Sequence, residues 1–282
     1  MTSNKKRAGI IMAACLTVPL ALFGCGGGQA SSASDSAAAD GAQSGSSVEQ
    51  SSASQASEGS NGVKSTMSED GRPDLLVLVN KEYALPDGWE EKLELKGATN
   101  SKGDYIEVDK IAFDAFADLQ KDLKTNEGIT IELNSGYRSI KEQEEIRDYQ
   151  LQVSGEEYVR TKVAQPGHSE HHTGLVVDAL LVVDGEPMVT EDDIAAHKEE
   201  WRTVHQYLAR HGFILRYLQD REDITGYPYE AWHIRYVGKD AAEQIMKENS
   251  NATLANYQDS YITLEEYLDK VPDHSVAPDA TN

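Results

Sequence analysis

The chain has 282 residues, with 48 Asp and Glu against 26 Lys and Arg, for a net charge of −22. So acidic a chain argues against nucleic acid and anionic membrane surfaces as partners. Its two cysteines, Cys15 and Cys25, both lie near the start, which leaves the rest of the chain with no disulfide and no thiol nucleophile.

Residues 1–25 begin with Lys5-Lys6-Arg7, run apolar from Ala8 to Phe23 and end on Gly24-Cys25. That is the layout of a signal peptide, and the apolar run is short of the ~20 residues a bilayer-spanning helix needs. Leu22-Phe23-Gly24-Cys25 resembles a bacterial lipoprotein signal, in which Cys25 becomes the lipidated first residue and the contact with the membrane. Residues 26–70 are mainly Ser, Ala, Gly and Gln with a few acids. They carry too little apolar surface to offset the entropy of ordering, so a disordered tether is expected. Residues 71–270 are enough for one domain with a substantial core, and 271–282 read as a disordered tail.

Within the domain, Leu75 to Asn80 is an apolar, strand-like run, and Leu85-Pro86-Asp87-Gly88-Trp89 is turn chemistry. Asp109 is placed to cap a helix whose Ile111, Phe113, Phe116, Leu119 and Leu123 fall near helical spacing. Ile129 to Leu133 alternates as a strand does, and Lys141 to Gln152 reads as a polar helix. Thr190 caps a further helix through Trp201, Val204, Tyr207 and Leu208 to Gly212. Phe213 to Tyr217 and His233 to Val237 are strand candidates, a polar helix is expected to begin at Glu243, and a weaker one spans Thr263 to Leu268. Strands and helices mix without βαβ regularity, which points to an α+β fold with a mainly antiparallel sheet and flanking helices.

Two clusters carry chemistry. The first runs from Gly167 to Asp178 and contains Ser169, His171, His172 and Gly174; the second is Glu230-Ala231-Trp232-His233-Ile234-Arg235. Together they hold the parts of a catalytic zinc site: imidazoles and a carboxylate as ligands, an open position for water, and a further carboxylate to take a proton. Seven positions separate His171 from Asp178, roughly 10 Å along a helix and more than ~20 Å along a strand, on opposite faces. Neither geometry brings both to one ion, so the chain must turn between them, with Thr173-Gly174 the natural place. Leu175 to Val183 then reads as a buried strand, and Asp178 inside it needs a partner, either a metal or an arginine. Glu230 and His233 are three apart, so a turn or bulge must precede His233 if both are to face one site.

Ser135-Gly136-Tyr137-Arg138-Ser139 after a strand, Ser169-Glu170-His171 with Gly174 and Asp178, and Glu230 with Trp232-His233 and Arg235-Tyr236 occur in one order. Gly212-Phe213 with Arg216-Tyr217 and Thr225-Gly226 add to the pattern. In these motifs the chain resembles the zinc D-alanyl-D-alanine carboxypeptidases of the VanY type, over roughly residues 74–240. The resemblance implies a D-Ala-D-Ala peptidase/hedgehog-like zinc fold. It implies that His171, Asp178 and His233 bind Zn2+, that Glu230 is the general base, and that Arg138 grips the terminal carboxylate of the substrate. Gln143 and Ser169 fall in the same motifs as substrate contacts. Val176 departs from the family, which more often has Ala there, and His172 is often Gln in relatives and is not counted as a ligand. The implied substrate is a peptidoglycan stem peptide ending in D-Ala. Two alternatives remain open: a dipeptidase or endopeptidase on the same material, and a non-catalytic zinc-containing module that binds wall peptides or a protein. His168 borders the motif; His197, His205, His211 and His274 read as structural or exposed.

Overall fold

The structure, a computed structural model, describes residues 74–247 and 253–271. The expected signal peptide, Cys25, the tether and His274 lie outside the described residues, as does the expected tail apart from Val271. No helix among the described residues is long and apolar enough to cross a membrane.

The chain opens with a buried segment and a hairpin, β1 (Leu95–Thr99) and β2 (Tyr105–Asp109), and then enters α1 (Lys110–Asn126). Asp109 caps α1 by accepting from the Ile111 amide, 3.0 Å away. Ala112, Phe116, Leu119 and Leu123 form the buried stripe of α1, spaced one helical turn apart. Next come β3 (Thr130–Ser135), α2 (Ile140–Lys162), β4 (Val176–Val183) and the short β5 (Glu186–Pro187). Helices α3 (Glu191–Ala196) and α4 (Lys198–Leu208) lead to β6 (Phe213–Leu215) and α5 (Glu222–Thr225). The last elements are β7 (His233–Tyr236), α6 (Lys239–Ile245) and α7 (Leu264–Leu268).

The main sheet is antiparallel in the order β3-β4-β7-β6, with β5 paired to the end of β4. This is the expected α+β architecture. Side chains alternate between the faces of a strand. Ile131 and Leu133 of β3, Val177, Ala179 and Leu181 of β4, and Ile234 of β7 enter the core with the buried stripes of α1 and α4. The other face of β4 and β7 therefore presents Asp178, His233 and Arg235. Register sets them side by side: Ser135 pairs with Asp178, and Asp178 with His233.

Several expectations needed correction. Leu75 to Asn80 is not a strand, although Leu76 to Asn80 is buried. Its carbonyls face an arginine instead: those of Leu75 and Val77 accept from Arg235 Nη2 at 3.0 and 2.9 Å. The helix expected to begin at Glu243 begins at Lys239 and ends at Ile245. The polar helix expected over Lys141 to Gln152 starts at Ile140, and beyond a break at Gly155, where φ is 81°, a further helical stretch continues to Lys162. The single helix expected after Thr190 is two, broken at His197.

Gly136, just past the end of β3, packs against β2 of the hairpin. A Cβ there would sit 2.3 Å from the Glu107 carbonyl oxygen and 2.6 Å from Val108 Cγ1. Gly136→Ala is therefore expected to cost about 1–3 kcal/mol through overpacking. Thermal unfolding should show a midpoint several degrees lower; an unchanged midpoint would contradict the close approach.

Candidate metal centre

Three local conformations bring the site together. Between His171 and Asp178 the chain turns as expected: Glu170–Thr173 form a 3-10 turn that ends at Gly174, with φ 70°. His171 projects from this turn and Asp178 from the strand that follows. Ala231 and Trp232 form a second turn, closed by the His233 amide donating to the Glu230 carbonyl at 3.4 Å. That turn lets Glu230 and His233 face the same cleft.

His171, Asp178 and His233 each offer one ligand atom, and the three atoms lie within 4.8 Å of one another. His171 Nε2 is 3.4 Å from Asp178 Oδ2, and His233 Nδ1 is 3.1 Å from Asp178 Oδ1. The second contact is close but poorly directed, so Asp178 Oδ1 is buried with no hydrogen-bond partner. A buried carboxylate oxygen of that kind calls for a cation. The other nitrogen of each ring is committed elsewhere. His171 Nδ1 donates to the Gly136 carbonyl at 2.7 Å, which turns Nε2 toward the site as a lone pair. His233 Nε2 lies 3.4 Å from Glu170 Oε2, which turns Nδ1 inward. Two imidazoles, one carboxylate and no thiolate fit zinc in a catalytic site.

Electrostatics follow from burial. Desolvation pushes the Asp178 carboxyl up, but His171, His233 and Arg138 hold it well below the usual range. Desolvation lowers His171 to about 3, against the pull of Asp178. His233 also loses solvation, yet Asp178, Glu170 and Glu230 surround it and raise it to about 9. The three carboxylates decide that direction. Burial raises the Glu230 carboxyl to about 7, offset in part by His233, whose Nδ1 is 3.5 Å from Glu230 Oε2.

The cleft above these groups has a volume of about 170 Å³ and is walled by Arg138, Gln143, Ser169 and Trp232, among others. All seven sequence-predicted site residues thus meet at one place. Arg138 Nη1 donates to Gln143 Oε1 at 2.8 Å, and Gln143 Nε2 donates to the Ala164 carbonyl at 2.9 Å. Gln143 is buried and braces the arginine from behind. Ser169 is on the cleft wall.

Two supporting residues were not anticipated. Glu170 is fully buried between Arg216 Nε at 2.7 Å and Arg235 Nη1 at 3.0 Å. Its place in Ser169-Glu170-His171 and the two nearby arginine motifs were the available signal. His172 is no ligand, but Nδ1 donates to the Arg138 carbonyl at 2.7 Å and Nε2 accepts from the Gly167 amide at 3.1 Å. It ties the two loops together. His168, His197 and His211 hydrogen-bond to Asn80, Asp193 and Asp122, away from the ion site.

Comparison with known proteins gives the same answer. The family model of VanY, D-alanyl-D-alanine carboxypeptidase, matches residues 105–239. A putative carboxypeptidase of Bacillus subtilis (strain 168), YodJ, is 37% identical over 201 residues, which cover 70% of this chain and 68% of the relative. The chain belongs to the VanY family. Among solved structures, a VanY D,D-pentapeptidase in complex with Zn(II) aligns with a TM-score of 0.52 at 31% identity, covering 68% of this chain and 98% of that one. The LdcB LD-carboxypeptidase aligns with a TM-score of 0.55 at 34% identity, covering 71% and 91%. The VanY fold and its zinc thus agree with the donor set found here.

Zinc bound to the folded state alone adds stability by mass action, about 2.7 kcal/mol at a hundredfold excess over Kd. Stripping the protein with a chelator should lower its thermal midpoint, and zinc should restore it. A midpoint indifferent to both would contradict a metal centre.

Proposed function

We propose that this VanY-family protein is a zinc-dependent D,D-carboxypeptidase that removes the C-terminal D-Ala from peptidoglycan stem peptides. The observation that carries the reading is Glu230, a carboxyl group beside three convergent metal-ligand atoms on the wall of a cleft. A module that only binds peptides has no use for it.

His171, Asp178 and His233 would hold the ion. A bound zinc supplies Lewis acidity, which acidifies water and polarises a carbonyl oxygen. Arg138 offers a planar pair of donors to the carboxylate of a peptide C-terminus. Held there, the substrate lays its last peptide bond over the cluster. Glu230 takes a proton from the attacking water and returns it to the departing amine. An upward-shifted carboxyl suits a group that must do both near neutral pH. Ser169 adds a polar contact on the wall, and Gln143 keeps the Arg138 fork aimed.

The likeness to an LD-carboxypeptidase supports a second reading, in which the residue before the scissile bond has L configuration. Mass spectrometry of stem peptides separates the two. Loss of one D-Ala from a pentapeptide ending in D-Ala-D-Ala supports the first reading. Loss only from a tetrapeptide supports the second, and hydrolysis of free D-Ala-D-Ala marks a dipeptidase.

Peptidoglycan lies outside the cytoplasmic membrane, and the chain's first residues suit that place. In our reading residues 1–25 direct export, a lipid on Cys25 anchors the chain, and residues 26–70 tether the peptidase domain of residues 71–270.

Glu230→Gln is expected to keep its zinc and lose about 10²–10⁴-fold in kcat; near-normal turnover would remove Glu230 from the mechanism. His233→Ala should lose metal, and wild-type zinc content would contradict the ligand set. Arg138→Ala should raise KM about 10–100-fold for free-acid peptides, the worth of one charged hydrogen-bonded contact. An equal effect on C-terminally amidated peptides would count against its role.

A further inference from the structure

The turn that carries Glu230 is held from both sides by a single hydroxyl group. Residues 253–271 lie beyond the region matched by the family model, 105–239. From this segment Tyr257 enters the core, where it is 6% exposed. Its hydroxyl is 2.8 Å from His205 Nδ1, and His205 Nε2 is 2.8 Å from the Ala231 carbonyl oxygen. A carbonyl only accepts, so Nε2 carries the hydrogen and Nδ1 is the lone pair. Tyr257 therefore donates to His205. Burial pushes His205 down to about 4, which keeps the ring neutral and this direction fixed.

The Tyr257 oxygen is also an acceptor. Gln258 Nε2 donates to it at 2.8 Å, and the Tyr229 hydroxyl lies within reach of the same oxygen. Tyr229 and Ala231 are the two chain neighbours of Glu230. One is tied to Tyr257 directly and the other through His205. The Tyr257 and His205 rings also stack, with centroids 5.9 Å apart and planes 24° apart. A phenylalanine would fill the same space, so packing alone does not call for the hydroxyl.

We propose that Tyr257 is a positioning residue for the reaction: through Tyr229 and the His205–Ala231 link, its hydroxyl fixes the backbone on both sides of Glu230. This rests on the reading of Glu230 as the base. A base displaced by 1 Å from its productive place costs on the order of a hundredfold in rate. Tyr257 touches neither substrate nor metal ligands, so the loss falls on kcat and spares binding.

The test is Tyr257→Phe in the full chain, with Tyr267→Phe, another buried tyrosine of the same segment, as control. The readouts are kcat, KM, zinc content, thermal midpoint and amide hydrogen exchange. Tyr257→Phe is expected to keep its zinc, hold KM within about twofold, lose about tenfold or more in kcat, and exchange faster at residues 229–233. Tyr267→Phe should do none of these. Unchanged kcat, a loss of kcat matched by the control, or unchanged exchange at residues 229–233 would overturn the proposal. Should Tyr257→Phe fail to fold, His205→Gln and His205→Ala replace it. The Gln amide can still donate to Ala231 and accept from Tyr257, so it should retain more kcat than Ala; equal loss overturns the proposal. Failure of the base reading looks different, because Glu230→Gln would then turn over whatever Tyr257→Phe does.

Discussion

Asp178 is a carboxylate in the middle of a buried strand, and the rest of the site is arranged to answer its charge. An unpaired charge at such a position is costly, and it is tolerated only where cations or directed donors face it. Here two imidazoles, the Arg138 guanidinium and the implied zinc ion meet that demand together. The sheet does the placing: antiparallel pairing sets Ser135, Asp178 and His233 in one row, so strand register delivers two of the three ligand groups. The third comes from the short turn just before the strand. Short connections of this kind leave little slack, which suits a site that must hold ligand atoms a few ångströms apart.

Behind the ligands lies a second layer of charge. Glu170 sits between Arg216 and Arg235, and Arg216 reaches on to Glu265 at 2.7 Å. Burial favours the neutral acid, but the two arginines and His233 hold Glu170 well below the ordinary range. Its remaining oxygen is thus a charged acceptor for the back of the His233 ring. The same arginines reach the N-terminal segment through Leu75 and Val77 and the C-terminal one through Glu265. Segments at both ends of the domain are in this way bonded to the site that the middle of the chain builds.

The legibility of this protein divides along physical lines. The turn at Thr173-Gly174 and the turn before His233 could be read because the spacings seven and three are incompatible with a straight helix or strand converging on one ion. The β4 strand could be read because it is a long, mostly apolar run with valine pairs at both ends. Leu75 to Asn80 was misread because composition does not separate a strand from a buried loop whose carbonyls find a side chain. The β1–β2 hairpin was missed because Leu95–Thr99 is mostly exposed and shows no alternation. The roles of Glu170 and Tyr257 were hard to read because their partners are distant in sequence: Arg216 and Arg235 lie 46 and 65 residues from Glu170, and His205 lies 52 from Tyr257. Such pairings belong to the tertiary fold; for Glu170 only its place in Ser169-Glu170-His171 marked the position, and the pairing itself left no local pattern.

The central claim is that His171, Asp178 and His233 share one cation. The most direct measurement is anomalous diffraction at the zinc absorption edge from crystals of the purified protein. The account predicts one strong peak in bonding contact with His171 Nε2, an Asp178 carboxylate oxygen and His233 Nδ1, with Glu230 beside it and unligated. A peak held by other residues, or Glu230 bound in place of Asp178, would contradict it.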